Sequence, residues 1–125
     1  MLNPNDQKRA EEFLKRMQSI LATNDCTFMQ SEKNRAFDDE FPLRDAEKRE
    51  LLKKLTADDC VEISRNDNPR YPDSDVFVFI REMELHVYGE TEKVLVYVKT
   101  YIREGRTYDL VVVISFHREG MHDIQ

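Results

Sequence analysis

The chain has 125 residues, of which 40% are hydrophobic and 35% charged, with 25 acids against 19 bases and a formal net charge of -6. That length suits one domain with a modest core, so residues 1–125 are read as a single unit. No apolar run approaches membrane length, and "MLNPNDQKRAEEF" lacks a basic stretch followed by an apolar one, so a cytoplasmic protein with no membrane partner is expected.

Ala10, Phe13, Leu14, Met17, Ile20 and Leu21 recur at helical spacing, with Lys8, Arg9, Glu11, Glu12, Lys15, Arg16 and Gln18 on the other side. This predicts an amphipathic helix from about Pro4 to Ala22, with Asn3 as N-cap and Pro4 in the first turn. A short linker with Thr27 and Phe28 leads to "SEKNRAFDDEF", where Ser31 is expected to cap a brief helix that turns Ala36 and Phe37 inward. "RDAEKRELLKKLTADD" predicts a third helix ending near Leu55, with Ala46, Leu51, Leu52 and Leu55 inward and Glu47, Lys48, Glu50, Lys53 and Lys54 facing water. Cys26 and Cys60 lack C-x-x-C spacing and read as reduced thiols.

From Asp59 the period falls to two. "CVEIS" is a short strand, and "RNDNPRYPDSD", with Pro69 and Pro72, is a loop. "VFVFIREMELHVYG", "VLVYVKTYIR" and "LVVVISFH" follow as three strands of a meander, joined by turns at "GETE" and "EGRT". Helices first and strands last predict an α+β fold, with the N-terminal helices packed on one face of a twisted antiparallel sheet.

In the second of these strands Val94, Val96, Val98 and Ile102 share one side, and Tyr97, Lys99, Tyr101 and Arg103 the other. A five-residue loop, Glu104 to Tyr108, would pair Tyr97 with Ser115 and make His117 its diagonal neighbour on the polar side, with Ile114 and Phe116 on the side of Val96 and Val98. A loop of two or four residues would send His117 to the opposite side. Histidine exchanges protons near neutral pH and a nearby cation holds an anionic group, so Tyr97, Lys99, Ser115 and His117 form a candidate cluster. The plainer reading makes His117 and Arg118 the solvated end of a strand.

The succession "DCTFMQSEKNRAF", "LLKKLTADDCVEI", "VLVYVKTYI" and "VVVISFHREG" resembles the motility quorum-sensing regulator (MqsR-type) mRNA interferase toxins. The resemblance covers about Phe13 to Arg118. It is carried by Lys33 with Asn34, by "LTADDC" with Cys60 in place of an aromatic, by Tyr97 with Lys99, and by Ser115 to His117. It implies a RelE-like fold and a metal-independent endoribonuclease, with no cofactor, that cuts single-stranded mRNA and is held by a cognate antitoxin protein of a type II module. It also implies catalysis at Tyr97 and His117 with Lys99 nearby.

Such cleavage needs a base for the 2'-hydroxyl, an acid for the 5'-oxygen and cations for the phosphorane. His117 is the candidate base or acid, Tyr97 a donor to phosphate, and Lys99 and Arg118 the charge stabilisers. Arg65, Arg70 and Tyr71 are expected to grip or stack the strand. Against a net negative charge, Lys33, Lys99, Arg103 and Arg118 must gather on one side. The competing expectation is a non-catalytic module that docks a protein by strand addition at a Val- and Tyr-rich edge. A metal site from His117, Glu119 and His122 is disfavoured, because the spacing matches no helical zinc motif and Gly120 interrupts it.

Overall fold

The structure is a computed structural model that describes residues 2–71 and 74–120. Three helices, α1 (Pro4–Leu21), α2 (Glu32–Glu40) and α3 (Asp45–Leu52), pack on one face of a five-stranded, mostly antiparallel sheet. The strands are β1 (Cys26–Phe28), β2 (Cys60–Arg65), β3 (Asp75–Val87), β4 (Glu90–Arg103) and β5 (Leu110–Arg118), in spatial order β1-β5-β4-β3-β2. The α+β expectation holds. β1 is an addition to it, since it pairs with β5 in parallel, Cys26 opposite Val111 and Phe28 opposite Val113. Three residues are too few to show a period of two, so the segment reads as a linker in sequence.

Local chemistry sets the helix starts. Asn3 accepts from the Asp6 backbone N–H at 2.8 Å, and Ser31 from that of Asn34 at 3.1 Å. Phe13 of α1 stacks on Phe77 with ring centroids 4.0 Å apart, and Phe37 of α2 meets Phe116 edge-on at 5.6 Å. Two expected inward residues, Ala36 and Ala46, are exposed instead. α3 stops at Leu52, and Leu55 reaches the core from the turn beyond it.

Lys48, expected in water, is buried. Its ammonium donates to Asp38 at 2.6 Å and lies 5.2 Å from the Phe28 ring centre, so the aliphatic stem fills core space while the charge stays paired. Burial pushes the Cys26 thiol up to about 12 and also raises that of Cys60, which suits unreactive thiols.

The β3–β4 hairpin turns on Tyr88 and Gly89, both with positive φ, the two-residue geometry that matches strand twist. The β4–β5 connection departs from expectation. Arg103 pairs with Leu110 and Thr100 with Val113, so the loop runs from Glu104 to Asp109, one residue longer than expected. Continued unbroken, that register would set His117 opposite Val96, on the helix side. It does not continue, because the pairing shifts between Thr100 and Lys99: Lys99 faces Ser115 and Tyr97 faces His117, with Ile114 left as the extra residue of a β-bulge. Phe116 therefore joins the core with Val98, as expected. Ile114 instead packs on the other face with Val76, Tyr101 and Val112.

Two buried polar side chains hold the bulge. Thr100 Oγ1 donates to the Val112 carbonyl at 2.8 Å. Beyond the end of β1, the Asn34 carboxamide stands in for a continuing strand. Its Nδ2 donates to the carbonyls of Ile114 (3.0 Å) and Met29 (2.8 Å), and its Oδ1 accepts from the Phe116 N–H at 3.0 Å. Asn34→Ala leaves these groups unpaired in the interior. Asn34→Asp, equal in shape, keeps the acceptor but sets a carboxylate against two carbonyls. Each is expected to cost at least about 2 kcal/mol, read from the urea midpoint; a loss below roughly 0.5 kcal/mol would show that the bulge is held by other contacts. Lys48→Met, which keeps the stem, is expected to fall within about 1.5 kcal/mol of the parent. Asp38→Ala, which strands the buried ammonium, should cost about 3 kcal/mol, so comparing the two melting curves tests what Lys48 contributes.

Candidate functional site

The sheet face opposite the helices carries the chemistry. The bulge brings Tyr97 and His117 into direct opposition, closer than the diagonal arrangement expected, and their rings stack with centroids 5.2 Å apart and planes 14° from parallel. Both rings line an open cavity of about 470 Å3, together with Lys99, Ser115 and, from the start of α2, Lys33.

His117 is only 3% exposed, so it is not a solvated strand end. Its Nδ1 lies 2.9 Å from the Arg118 carbonyl oxygen. A carbonyl only accepts, so Nδ1 carries a proton, and in the neutral form of the ring the lone pair is on Nε2. Burial, with a smaller contribution from the Glu62 carboxylate, raises the Tyr97 phenol above its ordinary value. Tyr97 is therefore a protonated hydrogen-bond donor throughout the neutral range. Ser115, Lys99, Val78 and Glu62 form one row across four strands, which places Glu62 on the same sheet face as Tyr97.

Lys33 and Lys99 both line this cavity, and among the described residues neither takes part in a side-chain ion pair. Arg118 is not with them. Adjacent strand residues project to opposite faces, so as His117 enters the cavity Arg118 turns to the helix side, where it donates to Glu40 at 2.7 Å and Glu92 at 3.4 Å and covers the Phe41 ring. The expected gathering of Lys33, Lys99, Arg103 and Arg118 thus fails for Arg118. Arg103 shares the face of Tyr97 by alternation but lies at the far end of β4 and lines neither cavity described here.

A second cavity, of about 230 Å3, adjoins the first and shares Lys99 and Ile114 with it. Arg65 lines it, with Asn66 and Asn68 from the loop that follows β2. Arg70 is exposed on that loop, where its backbone N–H donates to Asn68 Oδ1 at 3.0 Å. Tyr71, expected to stack a base, packs half-buried against Tyr101 with ring centroids 6.1 Å apart. Pro72 lies outside the described residues, as does His122 of the disfavoured metal set. Among the described residues no group of three or more His, Cys, Asp or Glu is placed to hold a metal ion, and no helix is long and apolar enough to cross a membrane.

The roles of Asn34, Thr100 and Ile114 at the bulge are what the sequence did not reveal. They act through backbone groups distant in sequence, and a buried asparagine three residues after a serine cap carries no local signal for that role. No family model matches the chain, and no curated protein or solved structure matches it.

The Tyr97 assignment is checked by following phenolate absorbance with pH in the parent and in Tyr97→Phe. The difference should show Tyr97 ionising above about 10, the ordinary tyrosine value. Glu62→Gln should lower that transition, because the carboxylate is one of its causes. A Tyr97 transition at the ordinary value would remove the buried-phenol assignment.

Proposed function

We propose that the protein is a metal-independent endoribonuclease that cuts single-stranded RNA on the outer face of its sheet, as a toxin restrained by a cognate antitoxin. The observation that carries the reading is the stacked Tyr97–His117 pair in one cavity with Lys33 and Lys99. A proton carrier of fixed tautomer, a neutral donor and two lysines without ion-pair partners among the described residues thus share one open cavity on an acidic chain. The sequence resemblance supports the same chemistry.

In this reading His117 Nε2 accepts the proton of the ribose 2'-hydroxyl. The resulting alkoxide attacks the adjacent phosphorus, and the bond to the 5'-oxygen breaks to leave a cyclic phosphate, the departing oxygen taking a proton from water. Tyr97 donates to a non-bridging phosphate oxygen. Lys99 and Lys33 offset the charge that accumulates on the phosphorane. The Arg118 carbonyl holds the imidazole in position by accepting from Nδ1, so Arg118 contributes through its backbone and not its guanidinium.

The burial of His117 changes how the reading is tested. His117→Ala would open a hole beneath Tyr97 and confuse folding with chemistry. His117→Asn is the sharper variant, because its amide can still donate to the Arg118 carbonyl while the titrating nitrogen is gone. It is expected to slow cleavage of single-stranded RNA by about a hundred- to ten-thousand-fold and to relieve growth inhibition on expression. Lys99→Met should slow cleavage with the fold intact, Tyr97→Phe should have a smaller effect, and Arg118→Gln should leave the rate near that of the parent. Full activity in His117→Asn would end the assignment. A parent that neither cuts RNA nor slows growth would favour a protein-docking role instead.

A further inference from the structure

The bulge sets an apolar pair on the outer face that the cleavage chemistry does not use. Ile114, the extra residue of β5, packs there with Val76, Tyr101 and Val112 and lines both cavities. Met29 stands beside it, because the carbonyls of Met29 and Ile114 both accept from Asn34 Nδ2, at 2.8 and 3.0 Å. The Met29 backbone N–H donates to the Val113 carbonyl at 2.9 Å, so its main chain is tied down while its side chain, 48% exposed, borders the second cavity. One exposed methionine is ordinary on a surface. This one adjoins a bulge residue, and bulges serve to re-aim side chains beside active sites.

The two cavities differ in character. In the first, Ile114 is the only aliphatic hydrocarbon side chain among the lining residues. In the second, Met29, Val76, Tyr101 and Ile114 give apolar and aromatic walls, and Arg65 and Asp67 bring one charge of each sign. An anion entering the second cavity would meet the Asp67 carboxylate, whereas a neutral ring with donors and acceptors on its edge meets apolar walls and both signs of charge. A nucleotide has these same two halves, a charged phosphate and a flat, neutral base. The cavities share Lys99 and Ile114, so the two halves of one strand can occupy them side by side. At about 230 Å3 the second has room for one base and not for a stack of them. Unstacked RNA bases are held in this manner, against apolar and aromatic side chains.

We propose that Ile114 and Met29 form a stacking step for the base next to the cleaved phosphate, with that base in the second cavity and the phosphate in the first. The proposal rests on the endoribonuclease reading. The step holds the base by its face, which every base presents, and so fixes where the neighbouring phosphate lies against Tyr97 and His117. Efficient cleavage then requires a base beside the cut and not the sugar-phosphate chain alone.

The test maps the parent's cut on one short single-stranded RNA and then removes one base at a time around that cut, leaving an abasic ribose. The ribose keeps its 2'-hydroxyl, so the reacting groups are unchanged. Loss of the base at one position next to the cut is expected to slow cleavage by the parent about tenfold, and loss elsewhere much less. Met29→Ala, which keeps the backbone contacts, and Ile114→Thr, which keeps the branched shape at the bulge, each remove apolar surface from the step. In both, the intact RNA should be cut more slowly, and the penalty for the missing base should shrink to about twofold. A parent indifferent to every abasic position overturns the step and leaves the nuclease standing, and this outcome does not depend on any variant folding. A penalty that persists undiminished in both variants also overturns it, since other contacts then hold the base. A parent that neither cuts nor binds the RNA removes both the step and the reading beneath it.

Discussion

Everything on the outer face depends on the carboxamide of Asn34. Beyond Phe28 no further strand among the described residues continues the pairing of β1 with β5, and the register of β5 changes phase at Ile114 just where that pairing ends. A buried strand segment with unmatched backbone groups would be costly. Asn34 meets that need with one planar group that both donates and accepts, and Thr100 does the same for the Val112 carbonyl across the strand. Without the phase change, His117 would face the helices and the core would receive an imidazole in place of Phe116. One asparagine at the start of α2 thereby couples the helix layer to the chemistry of the opposite sheet face.

The same helix contributes twice. Asn34 reaches the backbone of β5, and the preceding residue, Lys33, lines the cavity of Tyr97 and His117. The buried contact of Asn34 thus brings the backbone of Lys33 to the cavity that Lys99 also lines, a more constraining tie than an exposed ion pair of two long side chains.

Charge is distributed by face as much as by count. Part of the negative charge is committed elsewhere: Asp6 and Asp75 to Arg9, Glu104 and Asp109 to Arg16, Asp59 to Arg81, and Glu40 and Glu92 to Arg118. These pairs tie loops and strand ends to the helix layer, and being partly exposed each contributes little alone. Glu32 lines the cavity with Lys33 and Lys99, and Glu62, on the same sheet face, helps keep the Tyr97 phenol neutral.

The sequence by itself determined the layer structure and the composition of each face. Helical spacing from Ala10 to Leu21, the caps at Asn3 and Ser31, and the alternation of Val94, Val96 and Val98 with Tyr97 and Lys99 are local patterns, and the structure keeps them. What it could not determine was how those patterns meet. The parallel pairing of β1, the extra loop residue at Asp109, the bulge that undoes its effect, and the separation of His117 from Arg118 all depend on hydrogen bonds between residues far apart in sequence. A shift of one residue reverses every side chain beyond it, so the site existed in the sequence only as two possible faces. Tertiary contacts at Asn34 and Thr100 chose between them, because that phase buries Phe116 while the two side chains pair the Ile114 and Val112 carbonyls and the Phe116 N–H.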